Sequence, residues 1–342
     1  MASVKQLIGT KVMNEGLKYI EKDPMENLDK LLDWSEKIIT RENHKGFHRK
    51  FSEIVANPDG NWYKLIERFF DELSPASRQQ FLVNYMVNSG IIGIPIQDKM
   101  KKKYNCNVPW AILIDPTSAC NLKCTGCWAA EYDKTDSLSY DLLDRVIKEG
   151  KELGIYMYIF SGGEPLVRKD DLIKLAEKHN DCSFLSFTNA TLVDEEFAKK
   201  LGELGNFGLA ISVEGLEEET DMRRGKGTYN KVMKAMDLLK KEGVIFGFST
   251  CYHKYNTDVV GSEKYLDLLI DKGCMFGWYF TYMPIGSDAV TDLIATPEQR
   301  EYMYHQVRDL RSRKPIFIMD FWNDGEYVNG CIAGGRRYLH IN

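Results

Sequence analysis

Apolar positions recur at helical spacing through the first hundred residues. Two series place a hydrophobic residue every three or four positions, and they consist of Leu28, Leu31, Leu32, Trp34, Ile38 and Ile39, and of Trp62, Leu65, Ile66, Phe69, Phe70 and Leu73. This spacing predicts amphipathic helices. Ser74-Pro75 is typical of an N-cap followed by proline at the first helical position, and it predicts a further helix that ends near Ser89-Gly90. We therefore expect a helical N-terminal domain over residues 1–104.

An apolar segment followed by a basic one closes this region. Residues 91–96 are mostly apolar, and Lys99, Lys101, Lys102 and Lys103 follow. Such a pattern would suit contact with a membrane surface. We favour the alternative, a packed linker with a solvated basic end.

The pattern changes near residue 108, where short apolar runs begin to alternate with helix-like stretches. The runs are 111–114, 156–160, 184–187, 209–213, 244–248 and 278–280, and the helix-like stretches are 139–152, 170–179, 194–204, 228–242, 261–272 and 297–312. This alternation predicts an α/β fold of parallel strands with crossover helices over residues 105–312. The pattern alone fits both an open doubly wound sheet and a partial barrel.

Composition narrows the class of protein. The chain has 342 residues, of which 44% are hydrophobic and 28% charged, and its net charge is −5. It can bury a sizeable core, and it offers no general attraction for nucleic acid. No apolar run approaches the ~20 residues that cross a bilayer, and no secretory leader is evident. We expect a cytoplasmic protein without a transmembrane segment or a nucleic-acid partner.

Three of the eight cysteines are clustered. Cys120, Cys124 and Cys127 have the spacing C-x3-C-x2-C, which fits three corners of a cubic iron–sulfur cluster and leaves one iron open. A structural zinc site is the alternative, but zinc sites usually pair this unit with a second C-x2-C or with two histidines, and neither follows. Four other cysteines lack ligand spacing and are predicted to be core thiols: Cys106, Cys182, Cys251 and Cys274.

A second motif, Phe160-Ser161-Gly162-Gly163-Glu164-Pro165, follows the next predicted strand. Together with the cysteine segment it resembles the radical S-adenosylmethionine (SAM) enzymes, over about residues 108–342. The resemblance implies a six-stranded partial (β/α) barrel and so favours one of the two sheet arrangements. Both motifs follow predicted strands, at the end where parallel barrels carry their active sites.

The resemblance also implies a cofactor set and its ligands. The three cysteines would hold a [4Fe–4S] cluster, whose fourth iron binds the amino and carboxylate groups of SAM. The segment from Gly162 to Pro165, with Gly163 and Glu164, would hold the methionine amino end. A Gly-Gly turn that starts the helix near residue 170 is the alternative explanation of the glycines. Electron transfer into SAM would give a 5′-deoxyadenosyl radical, which abstracts hydrogen from a substrate.

Further resemblances concern single positions. Ser212-Val213-Glu214-Gly215 is similar to the family's Ser-Ile-Asp-Gly segment, so Ser212 and Arg224 would hold the SAM carboxylate, although Glu214 departs from the usual aspartate. Asn189 matches an asparagine near the SAM ribose. Many relatives carry an aromatic residue just before the third cysteine, where this chain has Gly126. Trp128 would pack on the adenine instead, or would be a core residue under the loop.

Residues 313–342 resemble the start of the SPASM or twitch extension, which binds auxiliary iron–sulfur clusters. Cys331 would be an auxiliary ligand, but the second cysteine of that pattern does not follow, so the extension is expected to be incomplete and the chain truncated. The alternative is that Cys331 is a small buried residue.

These observations predict a radical SAM enzyme that modifies a peptide or protein and draws electrons from a flavodoxin- or ferredoxin-type reductant. Modification of a lipid is the runner-up, motivated by residues 91–103. A non-catalytic electron-transfer protein is the alternative from another class, although such carriers normally supply four cysteines per cluster. The candidates to line the substrate cavity are Tyr252, His253, Tyr255, Asn256, Tyr279, Tyr282 and Met283. The alternative for the aromatic residues among them is a place in the core.

Overall fold

The fold is an α/β structure built on one open, curled sheet of eight parallel strands. The computed structural model describes residues 4–36, 42–129, 135–286 and 289–342. The strand order is β7-β6-β5-β4-β3-β2-β1-β8, so β7 and β8 form the two edges. The strands are β1 (Ala111–Ile114), β2 (Met157–Phe160), β3 (Ser183–Thr188), β4 (Phe207–Ser212), β5 (Phe246–Tyr252), β6 (Phe276–Thr281), β7 (Phe317–Asp320) and β8 (Tyr338–Ile341).

Helices precede the sheet and connect its strands. The N-terminal ones are α1 (Val4–Ile20), α2 (Pro24–Glu36), α3 (Glu42–Val55), α4 (Asn61–Glu72), α5 (Pro75–Gln80), a π-helix (Phe81–Gly93) and α6 (Ile94–Tyr104). Those among the strands are α7 (Tyr140–Glu152), α8 (Lys169–Lys178), α9 (Glu195–Leu204), α10 (Glu217–Arg224), α11 (Thr228–Lys241), α12 (Thr257–Val260), α13 (Glu263–Asp271) and α14 (Pro297–Arg313).

The α/β class and the six predicted strands are confirmed, but the predicted number of strands is too low. β7 and β8 both come from residues 313–342, so the segment expected to begin an extension contributes two strands to this sheet. β8 pairs with β1, with Ala111 opposite Tyr338. Both strands have only four residues, and no α-helix lies between them, so the strand–helix alternation that indicated the other six was missing.

The two faces of the sheet differ in burial. On the convex face, side chains such as Ile114, Phe160 and Phe248 are fully buried against the surrounding helices. On the concave face, a small cluster around Ala111, Met157, Leu185 and Ala210 fills one end. Concave residues nearer the carboxyl ends of the strands are only half-buried, among them Leu113, Ile159, Phe187, Ser212, Cys251, Trp278 and Met319. The concave face is therefore open toward the edge where parallel strands end.

The N-terminal helices dock on the sheet through buried amides. Ser74 caps α5 as predicted, since its Oγ accepts a hydrogen bond from the Ser77 N–H at 3.0 Å. The predicted helix end near Ser89-Gly90 is wrong, because helical structure continues to Tyr104. The helix continues because the π-helix across Ser89-Gly90 is held by hydrogen bonds to a distant turn. Asn84 donates to the carbonyl of Cys182 at 3.0 Å, and Asn88 donates to that of Asp181. The predicted apolar positions Ile38 and Ile39 lie outside the described residues.

The predicted linker at residues 91–103 is helical and carries exposed apolar residues. Ile91 and Ile94 are exposed on one side of it, and Lys99, Lys102 and Lys103 continue the exposed surface along α6. Among the described helices, none combines the length and apolar character that crossing a membrane requires.

Candidate functional site

The three clustered cysteines lie on the loop that follows β1, at the open edge of the sheet. Cys120, Cys124 and Cys127 are all free thiols and half-buried. The loop is folded on itself, since the Cys127 N–H donates to the Cys124 carbonyl at 3.2 Å. It is also held from outside, because the Thr125 N–H donates to the carbonyl of Arg223 at the end of α10.

Burial raises the pKa of the Cys120 and Cys124 thiols above their usual value. At Cys124 the positive charges of Arg224 and Arg223 oppose this rise. Iron binds the thiolate, so metal loading at this loop must release protons. The two arginines lower the cost of that release.

Gly126 leaves room for the hydroxyl of Tyr282. The glycine has φ +65°, and a Cβ built on it would lie 2.5 Å from the Tyr282 Oη. That oxygen accepts a hydrogen bond from the Val290 N–H at 3.0 Å. Tyr282 therefore occupies the space beside the loop that a side chain at position 126 would need, which explains the departure from the family's aromatic residue.

The glycine motif packs directly against the chain that leads into Cys120. The Gly163 N–H donates to the Thr117 carbonyl at 3.0 Å, and the Glu164 N–H donates to the Ala119 carbonyl at 2.8 Å. A Cβ on Gly163 would overlap the carbonyl oxygens of Ser118 and Ala119. The close approach of two backbones therefore requires a glycine here, and a turn before α8 does not by itself account for it.

Glu164 and Asn189 tie the motif to neighbouring strands and to the cysteine loop. The buried Glu164 carboxylate accepts hydrogen bonds from the Leu166 N–H, the Thr188 hydroxyl and the Asn189 N–H, at 2.9, 2.6 and 2.7 Å. Burial raises the pKa of Glu164, and these bonds oppose the rise. The Asn189 amide donates to Asn121 of the cysteine loop at 2.8 Å. Pro165, the last motif position, is buried.

Arg224 is held by a buried carboxylate that the sequence motif left without a role. Glu214 is fully buried, and its Oε1 lies 2.5 Å from Arg224 Nη2 and 2.6 Å from Arg223 Nη1. Its Oε2 accepts a hydrogen bond from the Cys251 N–H at 3.1 Å. Burial alone would raise the pKa of Glu214, but the two guanidinium groups outweigh it and hold the pKa below its usual value. Ser212 ends β4 beside this cluster and is half-buried.

Two side chains near this cluster lie elsewhere than the sequence predicted. Cys251 was expected in the core, yet it lies half-buried on the concave face, and burial raises the pKa of its thiol to about 11. His253 was expected to line the cavity, but it is fully buried, and burial lowers its pKa to about 4. The alternation of faces along β5 was the available signal, since Cys251 shares a face with Ser249.

The structure decides between alternatives at several further positions. Tyr252 and Tyr279 are buried on the convex face, because each is one residue out of step with its strand's concave positions. Of the predicted core thiols, Cys182 and Cys274 are buried but Cys106 is exposed. Cys331 is exposed and so is not a small buried residue. Trp128 is 44% exposed, which rules out the core alternative for this side chain.

The donor set at the cysteine loop has the chemistry of an iron–sulfur ligand set. Among the described residues, no group of three or more histidine, cysteine or acidic side chains is placed to hold one metal ion. A cubic cluster instead takes each thiolate on a different iron, and its ligands are three cysteine sulfurs that no disulfide occupies.

Comparisons with known proteins agree with this arrangement. A family model described as the radical SAM superfamily matches residues 114–266. Fe-coproporphyrin III synthase of Methanosarcina barkeri is 31% identical over 230 residues, which are 62% of this chain and 56% of that protein. PqqA peptide cyclase of Granulibacter bethesdensis is 26% identical over 254 residues, 68% of this chain and 65% of that protein. The chain thus spans less than two thirds of the length of either relative.

The fold has solved counterparts. The SAM-bound structure of Streptococcus suis SuiB superposes with a TM-score of 0.59 at 17% identity, covering 71% of this chain and 60% of SuiB. The half-barrel, the cysteine loop and the glycine motif together have the arrangement expected from the resemblance to radical SAM enzymes. Residues 114–266 match the radical SAM superfamily, whose members use a [4Fe–4S] cluster and SAM.

Proposed function

We propose that this chain is a radical SAM enzyme that modifies a peptide or protein in the cytoplasm. Cys120, Cys124 and Cys127 would hold the [4Fe–4S] cluster, which supplies an electron to cleave SAM. The observation that carries the proposal is the contact between two motifs distant in sequence. The backbone N–H groups of Gly163 and Glu164 donate hydrogen bonds to the carbonyls of Thr117 and Ala119, which lie directly before the first cysteine.

Different residues of the chain would bind different parts of SAM. Gly162, Gly163 and Glu164, whose carboxylate is fixed by three hydrogen bonds, would present backbone groups to the methionine amino end. Ser212 and Arg224 would bind its carboxylate, and a guanidinium whose position is fixed suits that planar group. Asn189 would lie near the ribose. Trp128, which is exposed on the cysteine loop, would cover the adenine. A flavodoxin- or ferredoxin-type protein would reduce the cluster.

The substrate class rests on the relatives. Two relatives have a peptide or a protein as the substrate that their names give. They are PqqA peptide cyclase and the sulfatase-maturating enzyme of Clostridium perfringens. The half-buried concave face would receive the modified side chain. A tetrapyrrole is the second candidate, favoured by the similarity to Fe-coproporphyrin III synthase.

A deuterium-transfer experiment tests both cleavage and substrate class. The reconstituted, reduced protein is incubated with SAM and with separate peptide, lipid and tetrapyrrole fractions of cells grown in heavy water. The radical takes its hydrogen from the substrate, so 5′-deoxyadenosine that carries deuterium identifies the reactive fraction. We expect the mass increase with the peptide fraction. An increase confined to the lipid or tetrapyrrole fraction would refute the peptide assignment.

A further inference from the structure

A buried aspartate lies on the concave face at the end of β1. Asp115 directly follows the strand and alternates with Ala111 and Leu113, so its side chain shares their face. The side chain is 6% exposed. Among the described residues, neither carboxylate oxygen has a partner of good hydrogen-bond geometry. A buried carboxylate without hydrogen-bond partners lowers the stability of the fold. Its presence therefore suggests a function in the site.

The glycine motif makes room for this carboxylate. Gly162 has φ +101°, and a Cβ built on it would lie 2.9 Å from the Cβ of Asp115 and 3.2 Å from its carboxylate carbon. Asp115 therefore lies beside the segment assigned to the methionine end of SAM. Any group that it orients would stand near that end of the cofactor.

The group that Asp115 faces is His340 of β8. His340 is in register with Leu113, which places both side chains on the concave face. Its Nε2 lies 2.9 Å from Asp115 Oδ1, which is within ion-pair distance although the angle does not meet hydrogen-bond geometry. The imidazole is 31% exposed although Nε2 itself is buried, so the exposed part of the ring points away from the carboxylate. Nδ1 has no hydrogen-bond partner among the described residues and is not enclosed as Nε2 is.

We propose that His340 is the proton acceptor for the substrate and that Asp115 is its positioning residue, an inference that rests on the proposed function. The negative charge of the carboxylate, 2.9 Å away, favours a proton on Nε2, which leaves Nδ1 with a free electron pair toward the concave face. In many enzymes a buried carboxylate orients an imidazole in this way, and the imidazole acts as the general base.

The dyad implies a substrate class. The reacting carbon would neighbour an N–H, O–H or S–H group, which becomes more acidic once that carbon has lost a hydrogen atom. In the proposed step the heteroatom–hydrogen bond breaks, its electron pair stays on the heteroatom, and the proton moves to Nδ1. The Asp115 carboxylate then stabilises the imidazolium. Within the proposed peptide substrates, this favours modification beside a hydroxyl, thiol or amine over modification of a purely aliphatic side chain.

The tautomer of His340 tests the first half of the proposal. Long-range proton–nitrogen NMR on the nitrogen-labelled full chain reports which ring nitrogen carries the proton, and H340Q identifies the signals. We expect a protonated Nε2 and an unprotonated Nδ1 in the wild type, and a loss of this preference in D115N. The matched control is D144N, which removes the carboxylate 2.9 Å from His179 and should leave His340 unchanged. A proton on Nδ1 in the wild type, or no change in D115N, would overturn the dyad.

Access to Nδ1 is tested by acylation with diethyl pyrocarbonate, read by mass spectrometry. We expect His340 to react at least tenfold faster than the buried His179 and His253. An unreactive His340 would show that its free nitrogen does not face a substrate. Both measurements are made without SAM, so their failure is distinct from a failure of SAM cleavage.

Discussion

Among single residues, Glu214 has the strongest influence on the arrangement of the site. It pairs with both arginines at the end of α10 and accepts a hydrogen bond from β5. The backbone carbonyl of Arg223 in turn holds the cysteine loop at Thr125. One buried carboxylate therefore links the residue assigned to SAM with the loop assigned to the cluster. A longer side chain than the family's aspartate reaches both guanidinium groups.

Replacing Glu214 by alanine should destabilise the protein by about 3–5 kcal/mol, because it leaves two buried positive charges without their partner. Urea unfolding measures this loss, and Glu218→Ala, at an exposed position of α10, is the control, with an effect within about 0.5 kcal/mol. SAM affinity should fall in the same variant, as measured by calorimetry. A Glu214→Ala protein as stable as the control would show that the cluster does not depend on this carboxylate.

Gly126 is predicted to control cluster loading. A methyl group there meets the Tyr282 hydroxyl, so Gly126→Ala should shift the loop between Cys124 and Cys127. We expect at least a threefold lower iron content after anaerobic reconstitution. Gly334→Ala is a matched control, since Gly334 has a similar φ of +63° with no atom within 4 Å. Equal iron content in the two variants would contradict the steric explanation.

His253 should make stability depend on pH. Its Nδ1 accepts the Tyr255 N–H, and burial lowers its pKa to about 4, against about 6.5 in the unfolded chain. The unfolded state therefore binds more protons between these values, and stability is lost as the pH falls from about 6.5 to about 4, by at most about 3 kcal/mol. His253→Asn keeps the acceptor but cannot titrate. Its free energy of unfolding should fall less over this range, and a parallel decrease in both proteins would refute the assignment.

At the scale of elements, the π-helix joins the N-terminal helices to the sheet. Asn84 donates to the carbonyls of Asn180 and Cys182, on the turn between α8 and β3. Asn84→Leu would remove both hydrogen bonds, at a cost of about 1–3 kcal/mol. We expect faster proteolysis within residues 42–104, while Met86→Ala, on the exposed side of the same helix, should be cut at the wild-type rate. Equal rates in both variants would argue against this anchor.

Prediction from sequence succeeded for elements with a strong local pattern. The six central strands and their helices follow from apolar periodicity, and the Ser74 cap follows from local chemistry. β7 and β8 were missed because pairing with distant strands, and not their own pattern, defines them. The π-helix was missed for a similar reason, since the carbonyls that bind its asparagines lie about a hundred residues away.

For the site, sequence predicted residue types but not their partners. The cysteine and glycine motifs were found because their spacing is local. The Glu214 pairs, the Tyr282 contact with Gly126 and the Asp115–His340 dyad each join residues from separate strand–helix units. Only the folded arrangement brings such pairs together. Tyr252 and Tyr279 were candidates for the cavity or the core, and the alternation along their strands, which is a local signal, turns them toward the helices.

At the scale of the whole molecule, the curled sheet brings the functional groups to one open edge. The cysteine loop after β1, the glycine motif after β2 and the arginine cluster after β4 all follow carboxyl ends of parallel strands. β8 adds His340 beside β1 and so extends the concave face beyond the six predicted strands. The N-terminal helices pack at the opposite region through the π-helix, which leaves this edge open.

The most direct test of this account is SAM cleavage by the reconstituted full chain. The protein is loaded with iron and sulfide without oxygen, reduced with dithionite and given SAM, and 5′-deoxyadenosine is measured by chromatography. We predict 5′-deoxyadenosine in more than stoichiometric amount with the wild type, and at least a hundredfold less with the triple variant Cys120→Ala, Cys124→Ala, Cys127→Ala. A wild type that carries a reduced cluster yet forms no 5′-deoxyadenosine would contradict the account.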